Sequence, residues 1–135
     1  MKIFGLRRAA VLAAALLLAA GAQAPFARGS QRAQDVVTLQ RSVRFRPGTS
    51  SAVLRNTIRV GQLHWYKVRA REGQEMTVML RTRGRTSFTL YTPDSPVEDA
   101  DGVDEWRGLL PQSGEYLIQV ATDDTAAYTL EVWVR

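Results

Sequence analysis

The sequence has no cysteine among its 135 residues and only one histidine, His64. The lack of cysteine excludes disulfide bonds, thiol catalysis and thiolate metal sites. The fold must therefore rest on a hydrophobic core. A chain of this length can form one, because a domain of about this size buries roughly 65% of the surface that its unfolded chain exposes. We expect one folded domain.

Long apolar runs are also scarce, since only residues 9–20 form one. Lys2, Arg7 and Arg8 precede this run, and small residues follow it. The pattern predicts a cleaved secretory signal peptide over residues 1–22, a flexible leader over 23–34 and a folded domain over 35–135. The run is too short for a spanning helix, so we expect a periplasmic or secreted protein with no membrane partner once the signal is removed. The Arg7-Arg8 pair is a weak match to a twin-arginine signal, which favours Sec export.

A strong excess of one charge is missing as well. The formal net charge is +5, and it falls to +2 when Lys2, Arg7 and Arg8 leave with the signal. That small value hides a split, because residues 23–93 carry 13 basic and 3 acidic residues, whereas residues 94–135 carry 2 basic and 10 acidic residues. The chain shows no recognition helix and no repeat of aromatic and basic residues, so we expect no nucleic-acid partner.

Alternation of apolar and polar residues dominates the rest of the chain. We predict strands over residues 35–46, 53–60, 64–70, 75–82, 86–92, 106–110, 115–120 and 128–134, with turn residues between them. Seven or eight short strands at a spacing of about ten residues predict an all-β fold, an antiparallel β-sandwich or small barrel. The predicted inward faces include Val37, Leu39, Val43 and Phe45; Tyr66, Val68 and Ala70; Met76, Val78 and Leu80; Phe88 and Leu90; Tyr116, Ile118 and Val120; and Tyr128, Leu130, Val132 and Val134.

Few residues offer chemistry. His64 is interpreted as a histidine on a strand surface, and no serine lies in a nucleophile elbow, so we expect no enzyme activity. The acidic loop 94–105 could hold calcium through Asp99, Asp101 and Asp104, but it lacks the spacing of an EF-hand. It is interpreted as a solvated, mobile loop without a cofactor, and a contact surface for a cationic protein is the further alternative. The three tryptophans could mark binding surfaces or lie under neighbouring loops, and the sequence leaves both open; they are Trp65, Trp106 and Trp133.

The stretch 109–120 combines a tight turn with a strand. Pro111 fixes its own φ angle and Gly114 can take a positive one, so residues 111–114 predict a turn. Tyr116 then begins the buried face of the following strand. Its position after the turn predicts a tyrosine corner, in which the hydroxyl bonds back to the loop. A contact with a partner is the alternative role for Tyr116.

Several segments resemble, in order and spacing, the periplasmic inhibitors of g-type lysozyme. They are Phe45-Arg46-Pro47-Gly48-Thr49-Ser50-Ser51-Ala52, Ile58-Arg59-Val60, Tyr66, Gly73-Gln74, Leu90-Tyr91-Thr92-Pro93 and Leu110-Pro111-Gln112-Ser113-Gly114-Glu115-Tyr116. More loosely, the Tyr66…Gly73-Gln74 hairpin, the Ser113-Gly114-x-Tyr116 turn and the closing Tyr128-Thr129-Leu130 are similar to the bacterial pre-peptidase C-terminal β-sandwich. The looser resemblance shares only signatures of the fold.

The first resemblance implies a proteinaceous inhibitor whose loops enter the active-site cleft of a g-type lysozyme, its protein partner. The implied contact residues are Ser50, Ser51, Ser113, Gly114 and Tyr116. One departure is residues 122–126, which are short and acidic where the family has a longer, basic loop. The second resemblance implies the alternative, a non-catalytic secreted binding module for protein, polysaccharide or calcium.

Overall fold

The computed structural model describes residues 36–135, and these form two β-sheets of four strands each. The predicted signal peptide and leader, residues 1–34, lie outside the described residues. The strands are β1 (Val36–Ser42), β2 (Ser51–Ile58), β3 (Gln62–Ala70), β4 (Glu75–Thr82), β5 (Thr86–Tyr91), β6 (Glu105–Leu109), β7 (Gly114–Thr122) and β8 (Ala126–Val134). The predicted β-sandwich is therefore confirmed. Across residues 36–135, no helix is both long and apolar enough to cross a membrane.

One sheet has the strand order β1-β3-β7-β5, and the other has β2-β8-β4-β6. Strand pairing is antiparallel except between β1 and β3, which run parallel. Between β1 and β3 the chain crosses to the other sheet, where it forms β2, and it comes back through the turn at residues 59–61. Strand β3 therefore runs in the same direction as β1. The predicted antiparallel pairing is thus confirmed for the described strand pairs except β1 and β3, at the edge of one sheet.

The core lies between the two sheets and consists of the alternating apolar residues of their strands. Tyr66, Val68, Met76, Phe88 and Ile118 are each at most 1% exposed. Burying a side chain of this size contributes about 1.5–3 kcal/mol to stability, so a core of such residues replaces the missing disulfides. The predicted inward faces are confirmed from Tyr66 onward; earlier in the chain, Val43 is buried, and Leu39 and Phe45 pack against the core.

His64 is buried, so its interpretation as a surface histidine is wrong. Strand β3 begins at Gln62, and the alternation that buries Tyr66 also points His64 inward, leaving it 3% exposed. Its Nδ1 lies 2.7 Å from the hydroxyl of Tyr128, which lies 2.5 Å from the hydroxyl of Tyr66. Burial lowers the pKa of His64. Burial and the bond to Tyr66 raise the pKa of Tyr128, so both groups are held neutral in the core.

The acidic segment between β5 and β6 is attached to the sheet edge and does not extend freely into solvent. Ala100 is fully buried, and its carbonyl accepts a hydrogen bond of 2.8 Å from the amide of Leu90. Val103 exchanges two backbone hydrogen bonds with Phe88, of 2.8 and 2.9 Å. This segment therefore covers the edge of β5, which would otherwise present unpaired backbone groups. The interpretation as a mobile loop is wrong, because Ala100 and Val103, which lie between the acidic residues, bond the segment to β5.

Candidate functional site

Three connections meet at one end of the sandwich, which we call the loop end. They are the link 43–50 before β2, the turn 71–74 between β3 and β4, and the turn 110–113 before β7. A cleft of about 700 Å³ opens between the first two of these connections and the start of β7. The residues that line this cleft are Phe45, Thr49, Ser50, Arg69, Ala70, Arg71, Gln74, Gly114, Glu115 and Val134.

The first connection is held by short hydrogen bonds. Both the amide and the hydroxyl of Thr49 donate to the carbonyl of Arg46, at 2.9 and 2.8 Å. Gly48 adopts a φ of 81° in this turn, a conformation that glycine takes without steric cost. The carbonyl of Ser50 accepts a hydrogen bond of 2.8 Å from the amide of Val134. The backbone at Ser50 is therefore fixed to the last strand.

The two other turns are bonded to each other. The amide of Gly73 donates to the carbonyl of Leu110 at 2.9 Å, and the amide of Leu110 donates to the carbonyl of Gln74 at 2.8 Å. The amide of Glu72 donates to the Oγ of Ser113 at 2.9 Å. Because each turn supplies partners for the other, the loop end is a rigid surface built from separate parts of the sequence.

Tyr116 supports this surface from below. Its side chain is fully buried, and its hydroxyl donates to the carbonyl of Gln112 at 2.6 Å and accepts from the Gln112 amide at 3.4 Å. This is the predicted tyrosine corner. The buried side chain leaves no surface for a partner to contact, so Tyr116 positions the turn and the alternative role as a contact residue is wrong.

Gly114 cannot be replaced without strain. Its φ is 148°, and a Cβ atom at this position would lie 2.7 Å from the Cγ of Pro93. The close approach of Pro93 places the loop after β5 directly against the start of β7. Gly114 therefore contributes only backbone atoms to the cleft lining, and no side chain fills the cleft at this position.

The structure brings together some of the predicted contact residues and separates others. Ser50 and Gly114 line the same cleft although 64 positions separate them in sequence. Ser113 is exposed beside it, with its Oγ accepting the bond from Glu72. Ser51 begins β2 and pairs with Trp133, away from the cleft lining.

Sequence reasoning missed the charged residues of the cleft. Arg69 and Glu115 are cross-strand partners in the register of β3 and β7. Arg71 is exposed in the next turn. Glu115 lies 3.7 Å from Lys67, and because both side chains are partly open to water, this ion pair has little energetic weight. The guanidinium groups of Arg69 and Arg71 outnumber the single carboxylate of Glu115, so the cleft is cationic. Only the strand register shows that these residues lie together.

The other candidate constellations are not assembled. No three His, Cys, Asp or Glu side chains within residues 36–135 gather in a way that could hold a metal ion. Of the predicted calcium ligands Asp99, Asp101 and Asp104, Asp101 accepts a hydrogen bond of 3.0 Å from Thr89. The three do not converge, because the segment that carries them lies extended along β5.

Each tryptophan has a different surrounding. Trp106 packs against the core from β6. Trp65 is half-buried on the outer face of its sheet, with its ring centroid 5.8 Å from that of Tyr91. Trp133 is half-buried on the outer face of the other sheet. Of the three, Trp133 alone pairs with a predicted contact residue, Ser51.

The short acidic turn at residues 122–126 lies at the opposite end of the strands, which we call the far end. Thr122 ends β7 there, and Asp124 accepts a hydrogen bond of 2.8 Å from the amide of Arg85. The departure from the family pattern therefore does not touch the cleft at the loop end.

Solved structures similar to this chain give the fold a family context. Neither a protein-family model nor a curated protein sequence matches the chain. PliG of Aeromonas hydrophila, a periplasmic inhibitor of g-type lysozyme, is 28% identical with a TM-score of 0.63, and the match covers 72% of this chain and 97% of that one.

Two further matches have the same fold. A mutant of the corresponding inhibitor from Escherichia coli is 24% identical with a TM-score of 0.59, over 72% of this chain and 98% of that one. PliG of Salmonella Typhimurium is 23% identical with a TM-score of 0.57, over 71% and 97% of the two chains. The resemblance in the sequence segments is thus confirmed in three dimensions: the described domain has the fold of the periplasmic inhibitors of g-type lysozyme.

Proposed function

We propose that this protein is a periplasmic inhibitor of g-type lysozyme that blocks the enzyme by inserting its loop end into the active-site cleft. The observation that carries the proposal is the match to PliG of Aeromonas hydrophila over nearly that protein's whole length. The segments of resemblance around Ser50 and Ser113 also meet at one end of the fold.

The rigidity of the loop end supports this mode of action. The turns are bonded to each other and to β8 before any partner arrives, so little conformational entropy is lost on binding. Such an inhibitor needs no chemistry of its own, because occupying the cleft excludes the polysaccharide substrate. Residues 36–135 accordingly serve as a scaffold for a contact surface and not as a catalyst.

The charge of the cleft fits the chemistry of the proposed target. Most glycosidases place a pair of carboxyl groups at the scissile bond, so their clefts are acidic. Arg69 and Arg71 could offer guanidinium groups to such carboxylates, and a fork of donors suits a planar carboxylate. Ser50 and Ser113 would add hydroxyl groups at the rim.

A lysis assay tests this function. The exported, processed protein is mixed with a g-type lysozyme and peptidoglycan, and clearing of turbidity is followed as the inhibitor is increased. We expect lysis to stop near equimolar protein. Lysis that continues with the protein in large excess over the enzyme would overturn the proposal.

Variants then locate the contact surface. Replacing Arg71 with glutamine should weaken inhibition about tenfold or more, since a hydrogen bond between charged groups contributes about 1.5–3 kcal/mol. The matched control is Arg85→Gln at the far end, which removes the same charge outside the cleft. An equal effect of the two variants would show that the loop end is not the contact surface.

A further inference from the structure

A second recess lies on the outer face of the sheet β2-β8-β4, towards the far end. Its volume is about 970 Å³. We call it the arginine groove, and its lining consists of Arg55, Asn56, Thr57, Arg81, Thr82, Arg83, Gly84, Asp124, Thr125, Ala126, Ala127, Tyr128 and Thr129. It shares no lining residue with the cleft at the loop end.

Two of its arginines are placed by strand register. Thr129 pairs with Arg55 on one side and with Arg81 on the other, so the three residues form one row across the sheet. All three point outward, since Leu130, the next residue of β8, is buried in the core. Neighbouring strands are about 4.8 Å apart, which puts the backbones of Arg55 and Arg81 about 10 Å from each other. Arg83 follows at the end of β4.

The guanidinium groups of this row are weakly neutralised. The Nε of Arg81 lies 3.7 Å from the Oε1 of Glu131, which is beyond hydrogen-bond distance, and the Arg81 side chain is 64% exposed against 19% for Glu131. The other N–H groups of the Arg81 guanidinium therefore remain free to donate. Within residues 36–135, Arg55 and Arg83 take part in no ion pair. The one carboxylate in the lining, Asp124, already accepts hydrogen bonds from the Arg85 amide and from the Thr122 hydroxyl. The three arginines therefore remain available to an anionic ligand.

The rest of the lining favours a ligand rich in hydrogen-bond acceptors. The hydroxyl groups of Thr57, Thr125 and Thr129 add to the guanidinium donors. Tyr128 is 3% exposed and bonded to His64 in the core, so it offers no aromatic face on which a base could stack. Arginine forks bind phosphate oxygens in pairs, and two backbones 10 Å apart allow two such sites in one groove.

The lack of exposed large apolar side chains in the groove favours a soluble ligand over a lipid bilayer. Within residues 39–135, the exposed large hydrophobic residues are Val53, Val60 and Leu109, and none of them lines the groove. An interfacial protein buries apolar side chains between headgroups, and the groove has none to insert.

We propose that the arginine groove binds a small soluble ligand that carries two phosphate groups, with Arg55 and Arg81 each holding one phosphate. Arg83 and the threonine hydroxyls add donors to the same ligand. This site is separate from the proposed contact surface for lysozyme, and its occupation does not depend on that function.

The test titrates the processed protein with fructose 1,6-bisphosphate as the probe, in low salt, by isothermal calorimetry. We expect saturable binding that weakens as salt is raised. Arg55→Gln and Arg81→Gln should each weaken it about tenfold or more, because each removes hydrogen bonds to a charged group. Arg55→Lys should weaken it less, since it keeps the charge and loses only the fork. The matched control is Arg44→Gln, an exposed arginine outside the groove, which should bind as the parent does.

Several outcomes would overturn the proposal. These are no binding of the probe by the parent protein, an equal loss in Arg44→Gln, equal affinity for a dicarboxylate such as succinate, or binding only to vesicles of phosphatidylglycerol. Thermal melting of each variant accompanies the titration. A variant whose melting temperature falls sharply is replaced by Arg81→Lys or Arg55→Lys, which keep the side-chain stem packed on the sheet.

Discussion

Replacing Tyr116 with phenylalanine separates support of the loop end from contact with a partner. The change removes one hydroxyl from a fully buried ring and leaves the ring in place. It deletes the bond of 2.6 Å to the carbonyl of Gln112 and the longer bond from the Gln112 amide. A hydrogen bond of this kind contributes about 1 kcal/mol, and an unsatisfied carbonyl costs about 1–3 kcal/mol. Gln112 is half-buried, so water can reach it, and we expect a loss of about 1–2 kcal/mol.

Thermal and urea unfolding measure this loss directly. For a domain of about 100 residues, 1 kcal/mol lowers the melting temperature by roughly 4–8 °C, so the variant should melt about 5–10 °C below the parent. Inhibition of lysozyme, measured well below that temperature, should change little, because Tyr116 has no exposed surface.

The matched control is Tyr91→Phe. The Tyr91 hydroxyl is half-buried and makes only a bond of 3.4 Å to Gln119, so its removal should cost less than about 0.5 kcal/mol. If Tyr116→Phe unfolds like the parent while inhibition collapses, the hydroxyl faces the partner and the assignment as a tyrosine corner is refuted.

Three further predictions concern stability. Ser113→Ala removes the acceptor of the Glu72 amide and should lower the free energy of unfolding by about 1 kcal/mol, as urea titration would show; a stability equal to the parent's would mean that this bond does not hold the turns together. Gly84→Ala should cost about 1–3 kcal/mol, because the new Cβ would lie 2.5 Å from the Cβ of Ala126, and an unchanged melting temperature would contradict the packing. Burial lowers the pKa of His64, so the unfolded chain binds a proton at this residue more readily than the folded chain does. The contribution of neutral His64 to the free energy of unfolding is therefore fully present above pH about 6.5 and should be lost as the pH falls below that value. Denaturation curves from pH 7.5 to 5 should show a shallower slope in His64→Gln, and identical slopes would exclude this histidine as the cause.

The strands were accessible from the sequence because alternation has a period of two and each sheet has one buried face. Strand β4 has the predicted bounds, Glu75–Thr82, and the alternation of Met76, Val78 and Leu80 coincides with their burial. The tyrosine corner was also accessible, because the turn before Tyr116 is local in sequence. Local rules determine such features without knowledge of the rest of the fold.

The alternation in β3 places His64 on the inward phase, but the sequence does not show which group satisfies its ring there. A polar side chain on the inward phase is tolerated only when a partner satisfies it, and that partner, Tyr128, is 64 residues away on the other sheet. The attachment of the segment between β5 and β6 was not accessible for a similar reason. Its acids suggested a free loop, whereas Ala100 and Val103 bond it to the edge of β5.

By itself, the amino-acid sequence determined the all-β class, the strands and most of the core, because these follow from residue patterns within a few positions. Only the tertiary structure decided that Ser50 and Gly114 line one cleft and that Arg69 and Arg71 make this cleft cationic. The tertiary structure also decided that Arg55 and Arg81 share a row across β2, β8 and β4. The physical reason is strand register. Pairing between distant segments is set by the packing of two sheets on one core, and no local pattern records which residues it brings together.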